Sequence, residues 1–192
     1  MEPNGPAPTG PAPSAGPAYQ PFYCEENIWL LAQDQRVGSG ECLVALITGE
    51  TGRFAMWHQR PADGPDAPLL WDYHVVLLVQ DQGWWVWDFE CDLGMPMPVH
   101  GWCAACFPQQ QQVQPGYRPK FRVMPAADYV ATLRSDRSHM RDEDGAFLKP
   151  PPAWSPPGGG LDSNLVQFVD LRGAFIGEIL DLAGLHRRLG LG

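Results

Sequence analysis

The sequence predicts a single α+β domain in which helices flank a central, mainly antiparallel or mixed β-sheet. The chain has 192 residues, 44% of them apolar and eight of them tryptophan, which is enough to bury one sizeable core. Apolar segments at 42–47 and 54–57, and again at 71–79 and 84–89, are joined by short turns, a spacing typical of antiparallel hairpins. Segments with helical spacing lie before and after them.

The helices and strands follow one another in a simple order. A helix is predicted from Glu25 to about Gln35, because apolar side chains recur on one face and acids occupy the first turn; Cys24 then lies at or next to its N-cap. The four strand segments come next, followed by a short strand at 120–124 and a helix at 126–133. Residues 165–169 fit either a strand or a helix, whereas 177–189 has helical spacing.

Low-complexity segments set the limits of the domain. Residues 1–20 are predicted to be a disordered tail, because proline, glycine and alanine dominate and Glu2 is the only charged side chain. A single folded domain is then predicted to span 21–192. It contains a glutamine-rich loop at 109–114 and a proline- and glycine-rich loop at 150–160, after which apolar periodic segments resume.

The charge balance argues against two classes of partner. The chain carries 22 acidic and 13 basic side chains, a formal net charge of −9, and its only lysines are Lys120 and Lys149. No basic stripe is available for a phosphate backbone or an anionic lipid surface, so we expect neither nucleic acid nor membrane as a partner. The chain also lacks a signal-peptide layout and a long apolar run, which predicts a soluble intracellular protein. Nothing requires more than a monomer.

Five cysteines, an odd number in a chain without an export signal, predict reduced thiols. Cys103 and Cys106 form a Cys-x-x-Cys pair with His100 nearby. A structural zinc site usually needs four ligands, and no second pair follows, so we predict two unrelated thiols in a loop and no metal. Gly158–Gly160 does not join a strand to a helix, which argues against a phosphate loop, and no cofactor is expected.

Three residues form a plausible catalytic set. Cys24 heads a predicted helix, and a helix N-terminus favours the thiolate that attacks a carbonyl carbon. His74 lies on the next apolar hairpin and would act as general acid and base, while Asp88 near the end of its second strand would orient the imidazole. The order cysteine, histidine, aspartate is that of papain-like and transglutaminase-like cysteine enzymes.

Each position also has a structural interpretation. A cysteine among aromatic residues is often a small buried hydrophobe, a histidine in an apolar strand is often a core residue, and an aspartate at a strand end is often a turn residue. Spacing alone leaves this alternative open.

Several local strings resemble the family of protein N-terminal glutamine amidohydrolases. These segments lie in the same order as in the family and cover residues 20–152 well and the rest more loosely: 23–29 (YCEENIW), 60–65 (RPADGP), 71–78 (WDYHVVLL), 87–90 (WDFE), 120–123 (KFRV) and 135–140 (SDRSHM). The resemblance places the family's catalytic cysteine, histidine and aspartate at Cys24, His74 and Asp88.

The resemblance implies a substrate and a mechanism. The substrate is the side-chain amide of a glutamine at the first position of a protein or peptide, which is hydrolysed to glutamate with release of ammonia. Cys24 would attack the amide carbon and form a thioester, and its own backbone N–H at the helix start is the expected oxyanion donor. The resemblance also implies a fold of the transglutaminase and papain type, and a role in an N-terminal degradation pathway in cytosol and nucleus.

Selection of a chain terminus requires a group that binds the free α-ammonium, and a carboxylate suits that role. Asp72, Glu25 and Glu26 are the local candidates. Asp72 precedes His74 by two residues on the predicted strand, so both side chains should lie on one face, although a purely structural role for Asp72 stays open.

Two other functions remain compatible with the sequence. A transglutaminase-like or papain-like enzyme or protease would use the same three residues with another acceptor or substrate. A non-catalytic module could bind protein N-termini, or present its proline segments to other domains. His139 is expected to have a surface or loop-anchoring role, because it follows the strands that carry the site and lies among charged residues.

Overall fold

The computed structural model describes residues 16–38, 40–64 and 66–191. Five α-helices lie in this part of the chain: α1 (Cys24–Leu31), α2 (Val99–Cys106), α3 (Ala126–Thr132), α4 (Leu165–Val169) and α5 (Leu182–Leu189). Its eight strands are β1 (Cys42–Thr48), β2 (Phe54–Met56), β3 (Leu69–Trp71), β4 (His74–Gln80), β5 (Trp84–Trp87), β6 (Met97–Pro98), β7 (Lys120–Pro125) and β8 (Glu178–Leu180). The α+β class predicted from the sequence is confirmed.

Six of these strands form one antiparallel sheet in the order β6-β5-β4-β1-β7-β8. The central strand β1 pairs with β4 on one side and with β7 on the other, with Ile47 opposite both His74 and Phe121. Because β1 is covered on both faces, its residues from Leu43 to Thr48 are all buried, and its sequence is a continuous apolar run. The sheet thus holds the start of β4, and with it His74, in the middle of the domain.

Each face of the sheet has its own core. Alternate residues of β1 point to opposite sides, so that Val44 and Leu46 face α1, α3 and α4, whereas Ala45 and Ile47 face α2, α5 and the β2–β3 pair. The first core contains Ile28, Leu31, Tyr129 and Phe168, and the second contains Phe54, Trp102, Phe121 and Leu185. Helix α1 therefore packs its apolar face on the sheet beside β4.

One predicted hairpin is confirmed and the other is wrong. β4 and β5 pair across the short turn at 81–83. β1 and β2, however, do not pair with each other: β2 pairs with β3 in a separate two-stranded sheet. The reason is that both edges of β1 are taken by β4 and β7, which bury more apolar surface against it than three-residue β2 could.

Other differences concern segments whose pattern was locally ambiguous. The predicted strand 71–79 is divided into β3 and β4, with Asp72 and Tyr73 between them. The pair Cys103 and Cys106 lies in helix α2 and not in a loop, because Val99, Trp102, Cys103 and Cys106 form its buried face. Residues 165–169 are helical, and the predicted helix 177–189 is strand β8 followed by α5.

The predicted tail, residues 1–20, lies outside the described residues up to residue 15. Tyr19 and Gln20 are described, and both contact the domain: the Tyr19 hydroxyl donates to Glu90 Oε1 (2.7 Å), and Gln20 exchanges two hydrogen bonds with the Asn27 side chain. Among the helices in the described ranges, none combines the length and the apolar character needed to cross a membrane.

Candidate active site

Cys24 is the first residue of α1, as the sequence predicts, and its thiol is nearly covered. The N-cap residue Tyr23 is fully buried and anchors the helix start, and Cys24 is 8% exposed. The thiol lies at the backbone N–H of Val75, which is the residue after His74. The packing of α1 on β4 therefore brings the predicted nucleophile to the strand end that carries the predicted base.

His74 and Asp88 form a buried pair. His74 is the first residue of β4 and is inaccessible to solvent, and Asp88 follows the last residue of the adjacent strand β5. His74 Nε2 lies 2.8 Å from Asp88 Oδ1, while the imidazole stacks on Trp71 with 5.2 Å between ring centroids. Within the described part of the chain, His74 Nδ1 has no hydrogen-bond partner although it is buried. Nδ1 is thus the nitrogen that is free to exchange a proton.

Two further groups hold the Asp88 carboxylate. The Trp102 indole N–H donates to Oδ2 (3.0 Å), and the backbone N–H of Glu90 donates to Oδ1 (3.0 Å). Burial alone would raise the pKa of Asp88, but the charge of His74 and these hydrogen bonds outweigh it and lower the pKa below its usual value. The carboxylate stays ionised and accepts a hydrogen bond from the Nε2–H group of His74, which leaves Nδ1 as the nitrogen that can take up a proton.

Trp102 is a supporting residue that the sequence analysis missed. It lies on α2, where a loop was predicted, and its position fourteen residues after Asp88 gives no local signal of contact. A fully buried tryptophan needs a partner for its N–H, and an aspartate in the same core is one way to provide it. Only the packing of α2 on β5 brings them together.

The surroundings of Cys24 are acidic. Burial raises the pKa of the thiol well above its usual value, and the Glu25 carboxylate raises it further, since Glu25 Oε2 lies 3.8 Å from the sulfur. Glu90 and Asp72 act in the same direction at longer range, and the Val75 N–H opposes them. In the free protein the thiol is therefore protonated at neutral pH.

Glu25 belongs to a cluster with two side chains from other segments. The Tyr73 hydroxyl donates to Glu25 Oε2 (3.0 Å), and His139 Nε2 lies 3.3 Å from Oε1. His139 is also 3.5 Å from the Tyr73 hydroxyl. His139, for which a surface or loop-anchoring role was expected, lies on the short helical turn at 138–140 and is joined to Glu25 of α1 by the contact with Oε1. No signal in the sequence links His139 to a residue 114 positions earlier.

Glu26 has a different environment. Arg137 donates to both of its carboxylate oxygens, at 2.8 and 2.7 Å, and the Trp154 indole adds a third bond at 3.1 Å. Glu26 is inaccessible to solvent, and its oxygens are occupied by these donors. Its observed role is to fasten residues 137–154 to α1.

Asp72 is exposed and lies before β4, not on it. The sequence argument that placed Asp72 and His74 on one face of a single strand is therefore wrong. Its Oδ1 accepts a hydrogen bond from the backbone N–H of Tyr73 (2.8 Å), which forms a turn between β3 and β4. Asp72 still contributes to the negative potential at Cys24.

The described residues contain no group of three or more histidine, cysteine, aspartate or glutamate side chains arranged to hold a metal ion. Cys103 and Cys106 are buried on α2, and Cys106 contacts Cys91.

Comparison with known proteins identifies the family of this chain. The sequence profile of the N-terminal glutamine amidase family matches residues 19–189. A human protein N-terminal glutamine amidohydrolase is 35% identical over 164 residues, which cover 80% of each chain. A Caenorhabditis briggsae protein of the same name is 34% identical over 80% of this chain and 84% of its own, and one from Arabidopsis thaliana is 29% identical over 90% and 86%. The chain therefore belongs to the N-terminal glutamine amidase family.

Proposed function

We propose that this protein hydrolyses the side-chain amide of an N-terminal glutamine, converting it to glutamate with release of ammonia, through a thioester on Cys24. The observation that carries the proposal is the buried His74–Asp88 pair beside a helix-heading cysteine, in a chain of this family. The substrates are proteins and peptides with a free N-terminal glutamine, and the proposal is a monomer that acts in cytosol and nucleus.

The first half-reaction forms the thioester. His74 Nδ1 takes the proton of the Cys24 thiol, and the sulfur attacks the amide carbon, whose π electrons move onto oxygen. The backbone N–H of Cys24 belongs to the first turn of α1, where N–H groups lack helical partners, and it donates to that oxyanion. His74 then gives the proton to the departing nitrogen, and ammonia leaves as the carbonyl re-forms.

The second half-reaction is hydrolysis. His74 Nδ1 takes a proton from water while the water oxygen attacks the thioester carbon. The carbon–sulfur bond breaks, the sulfur recovers the proton, and the side chain leaves as glutamate. Asp88 fixes the imidazole and stabilises its positive charge during both steps without itself being protonated.

The α+β architecture also supports a relationship to transglutaminase-like and papain-like enzymes. A cysteine at a helix start, followed by a histidine and an aspartate on adjacent antiparallel strands, is the arrangement that those enzymes use. The proposal places this chain among them as a hydrolase, with water as the acceptor.

A peptide panel tests the function. Reduced protein is incubated with peptides that begin with glutamine, begin with asparagine or carry glutamine internally, and products are followed by mass and by ammonia release. We expect a gain of about 1 Da in the glutamine-first peptide alone, and none with Cys24→Ala. Crosslinking of the peptide to an added amine would indicate a transglutaminase, and cleavage of the peptide would indicate a protease. Peptides that stay unchanged but still bind to the Cys24→Ala protein would indicate a binding module.

A further inference from the structure

The acidic surroundings of Cys24 are unusual for a nucleophilic thiol. Reactive cysteines normally have cationic neighbours, because a positive charge favours the thiolate. Here the charged groups that act most strongly on the thiol are carboxylates, with Glu25 Oε2 only 3.8 Å from the sulfur. A negative charge so close opposes thiolate formation. The arrangement becomes reasonable if a cation arrives with the substrate.

Glu25 also has a carboxylate oxygen that accepts no hydrogen bond from the described residues. The carboxylate is 1% exposed, and Tyr73 satisfies Oε2. Among the described residues, Oε1 has no hydrogen-bond partner, and His139 Nε2 lies 3.3 Å from it in an ion pair whose geometry is too poor for a hydrogen bond. A buried carboxylate oxygen without a hydrogen bond is costly, so another donor should bind there strongly. By contrast, the oxygens of Glu26 accept hydrogen bonds from Arg137 and Trp154, and Asp72 is exposed at the surface.

We propose that Glu25 binds the α-ammonium group of the substrate's first residue, and that this ammonium neutralises the carboxylate beside Cys24 and so permits thiolate formation. This inference rests on the proposed function. It makes the free N-terminus both the feature that is recognised and the charge that activates the nucleophile. An internal glutamine, which has no ammonium, would neither bind to Glu25 nor activate Cys24.

The distances allow one glutamine residue to reach both groups. Four single bonds of about 1.5 Å separate the α-nitrogen from the side-chain amide carbon, which gives a maximum span of about 5 Å. A sulfur ready to attack lies about 3.3 Å from that carbon, and an ammonium lies about 2.8 Å from a carboxylate oxygen. Glu25 Oε2 lies 3.8 Å from Cys24 Sγ. The two oxygens of a carboxylate are about 2.2 Å apart, so Oε1 is at most about 6 Å from the sulfur, and these lengths close into a quadrilateral without strain.

His139 covers the site where the ammonium would bind. Its side chain is 25% exposed and presents a ring nitrogen to Glu25 Oε1, so an incoming ammonium must displace it. Protonated His139 would therefore compete with the substrate for Glu25. The charged groups facing His139 are Glu25, Glu26 and Asp136, and the rings of Tyr23 and Tyr73 lie beside it.

The test removes the positive charge of the substrate's N-terminus and, separately, the negative charge of Glu25. A glutamine-first peptide and its neutral analogue, in which a hydroxyl replaces the α-ammonium, are turned over by wild type, Glu25→Gln and Glu178→Gln. Glu178→Gln makes the same change of net charge on exposed strand β8. We expect wild type and Glu178→Gln to prefer the ammonium peptide about 10- to 100-fold in kcat/KM, the range of a charge-assisted hydrogen bond. In Glu25→Gln the preference should fall to about threefold or less; an unchanged preference overturns the inference.

Binding separates this inference from the proposed function. In Cys24→Ala protein, calorimetry with the same two peptides should show the ammonium preference, and Cys24→Ala/Glu25→Gln should lack it. If that pattern holds but wild type releases no ammonia, the proposed function fails and the binding role of Glu25 stands. If wild type releases ammonia and the preference survives Glu25→Gln, only the inference fails.

Two further measurements cover activation and a possible folding defect. The pH midpoint for alkylation of Cys24 by neutral iodoacetamide should be lower in Glu25→Gln than in wild type; an equal or higher midpoint contradicts the activating role. If the Glu25→Gln protein does not fold, the binding test is made instead with the double variant Cys24→Ala/His139→Asn. At about pH 6, where the imidazole is charged, this variant should bind the ammonium peptide several-fold more tightly, and unchanged affinity overturns the inference.

Discussion

The ion pair between Glu26 and Arg137 should contribute more to stability than any other contact that holds helix α1 in place. Glu26 is inaccessible to solvent, and Arg137 donates to both of its oxygens as well as to the carbonyls of Pro152 and Trp154. Arg137→Met keeps a long apolar side chain but leaves a buried carboxylate with a single remaining donor, Trp154. Removing one partner of a buried pair costs about 3–5 kcal/mol. We expect that loss in the free energy of unfolding.

The double variant distinguishes the ion pair from simple loss of packing. The double variant Glu26→Gln/Arg137→Met contains no unpaired buried charge. Its loss in the free energy of unfolding should therefore be smaller, by about 1–3 kcal/mol, than the sum of the losses in the single variants Glu26→Gln and Arg137→Met. The free energy of unfolding of wild type, the two single variants and the double variant is measured by urea denaturation, with tryptophan fluorescence as the signal. Arg188→Met is the control: it breaks a pair with Glu41 and Glu178 at the surface and should cost less than about 1 kcal/mol.

Two results would refute this reasoning. One is an Arg137→Met protein within about 1 kcal/mol of wild type, which would mean that water reaches Glu26 easily. The other is additivity of the single variants within about 0.5 kcal/mol, which would mean that the two side chains act independently. Because single domains are stable by only about 5–15 kcal/mol, the expected loss is a large fraction of the total.

Three further predictions concern the His74–Asp88 pair and its surroundings. Trp102→Phe removes the N–H that donates to Asp88 Oδ2, so the free energy of unfolding should fall by about 1–3 kcal/mol and ammonia release should slow. The control is Trp84→Phe, which leaves the hydrogen bonds of Asp88 intact. Equal effects of the two variants on ammonia release would contradict the prediction. Asp88→Asn removes the charge that orients and stabilises His74, so kcat should fall about 10³- to 10⁴-fold in ammonia release, and a loss below tenfold would exclude an orienting role. The pKa of His139 is lowered by burial but raised more strongly by Glu25, Glu26 and Asp136, so that it lies above its usual value. Its charge should therefore stabilise the fold fully below about pH 6.5, the ordinary value, and that contribution should be lost as the pH rises through the raised pKa. The difference in unfolding free energy between wild type and His139→Asn should fall accordingly with pH; a flat or rising difference would contradict it.

Local pattern accounts for what could be predicted of the site. The apolar periodicity and first-turn acids after Cys24 placed it at the start of a helix, and the short turn at 81–83 paired the strands that end beside His74 and Asp88. Both features depend on residues close together in the chain. The chain order of the three residues and the strings around them then indicated cysteine chemistry and the family.

The pairing of strands and the surroundings of the site depended on contacts between distant segments. β1 joins β4 and β7 and not its neighbour β2, because long-range pairing buries the central strand on both faces. The same packing brings Trp102 to Asp88, Arg137 to Glu26 and His139 to Glu25, and it leaves Asp72 exposed in a turn.

The sequence by itself determined the α+β class, the helix that begins at Cys24, the hairpin that brings His74 and Asp88 onto neighbouring segments, and the resemblance to the family. The tertiary structure decided that Glu26 is paired with Arg137, that Asp72 is exposed, and that Glu25 keeps a buried oxygen without a hydrogen bond. The physical reason is that periodicity and turn chemistry act over a few residues, whereas the burial and pairing of a charge depend on which segments pack around it.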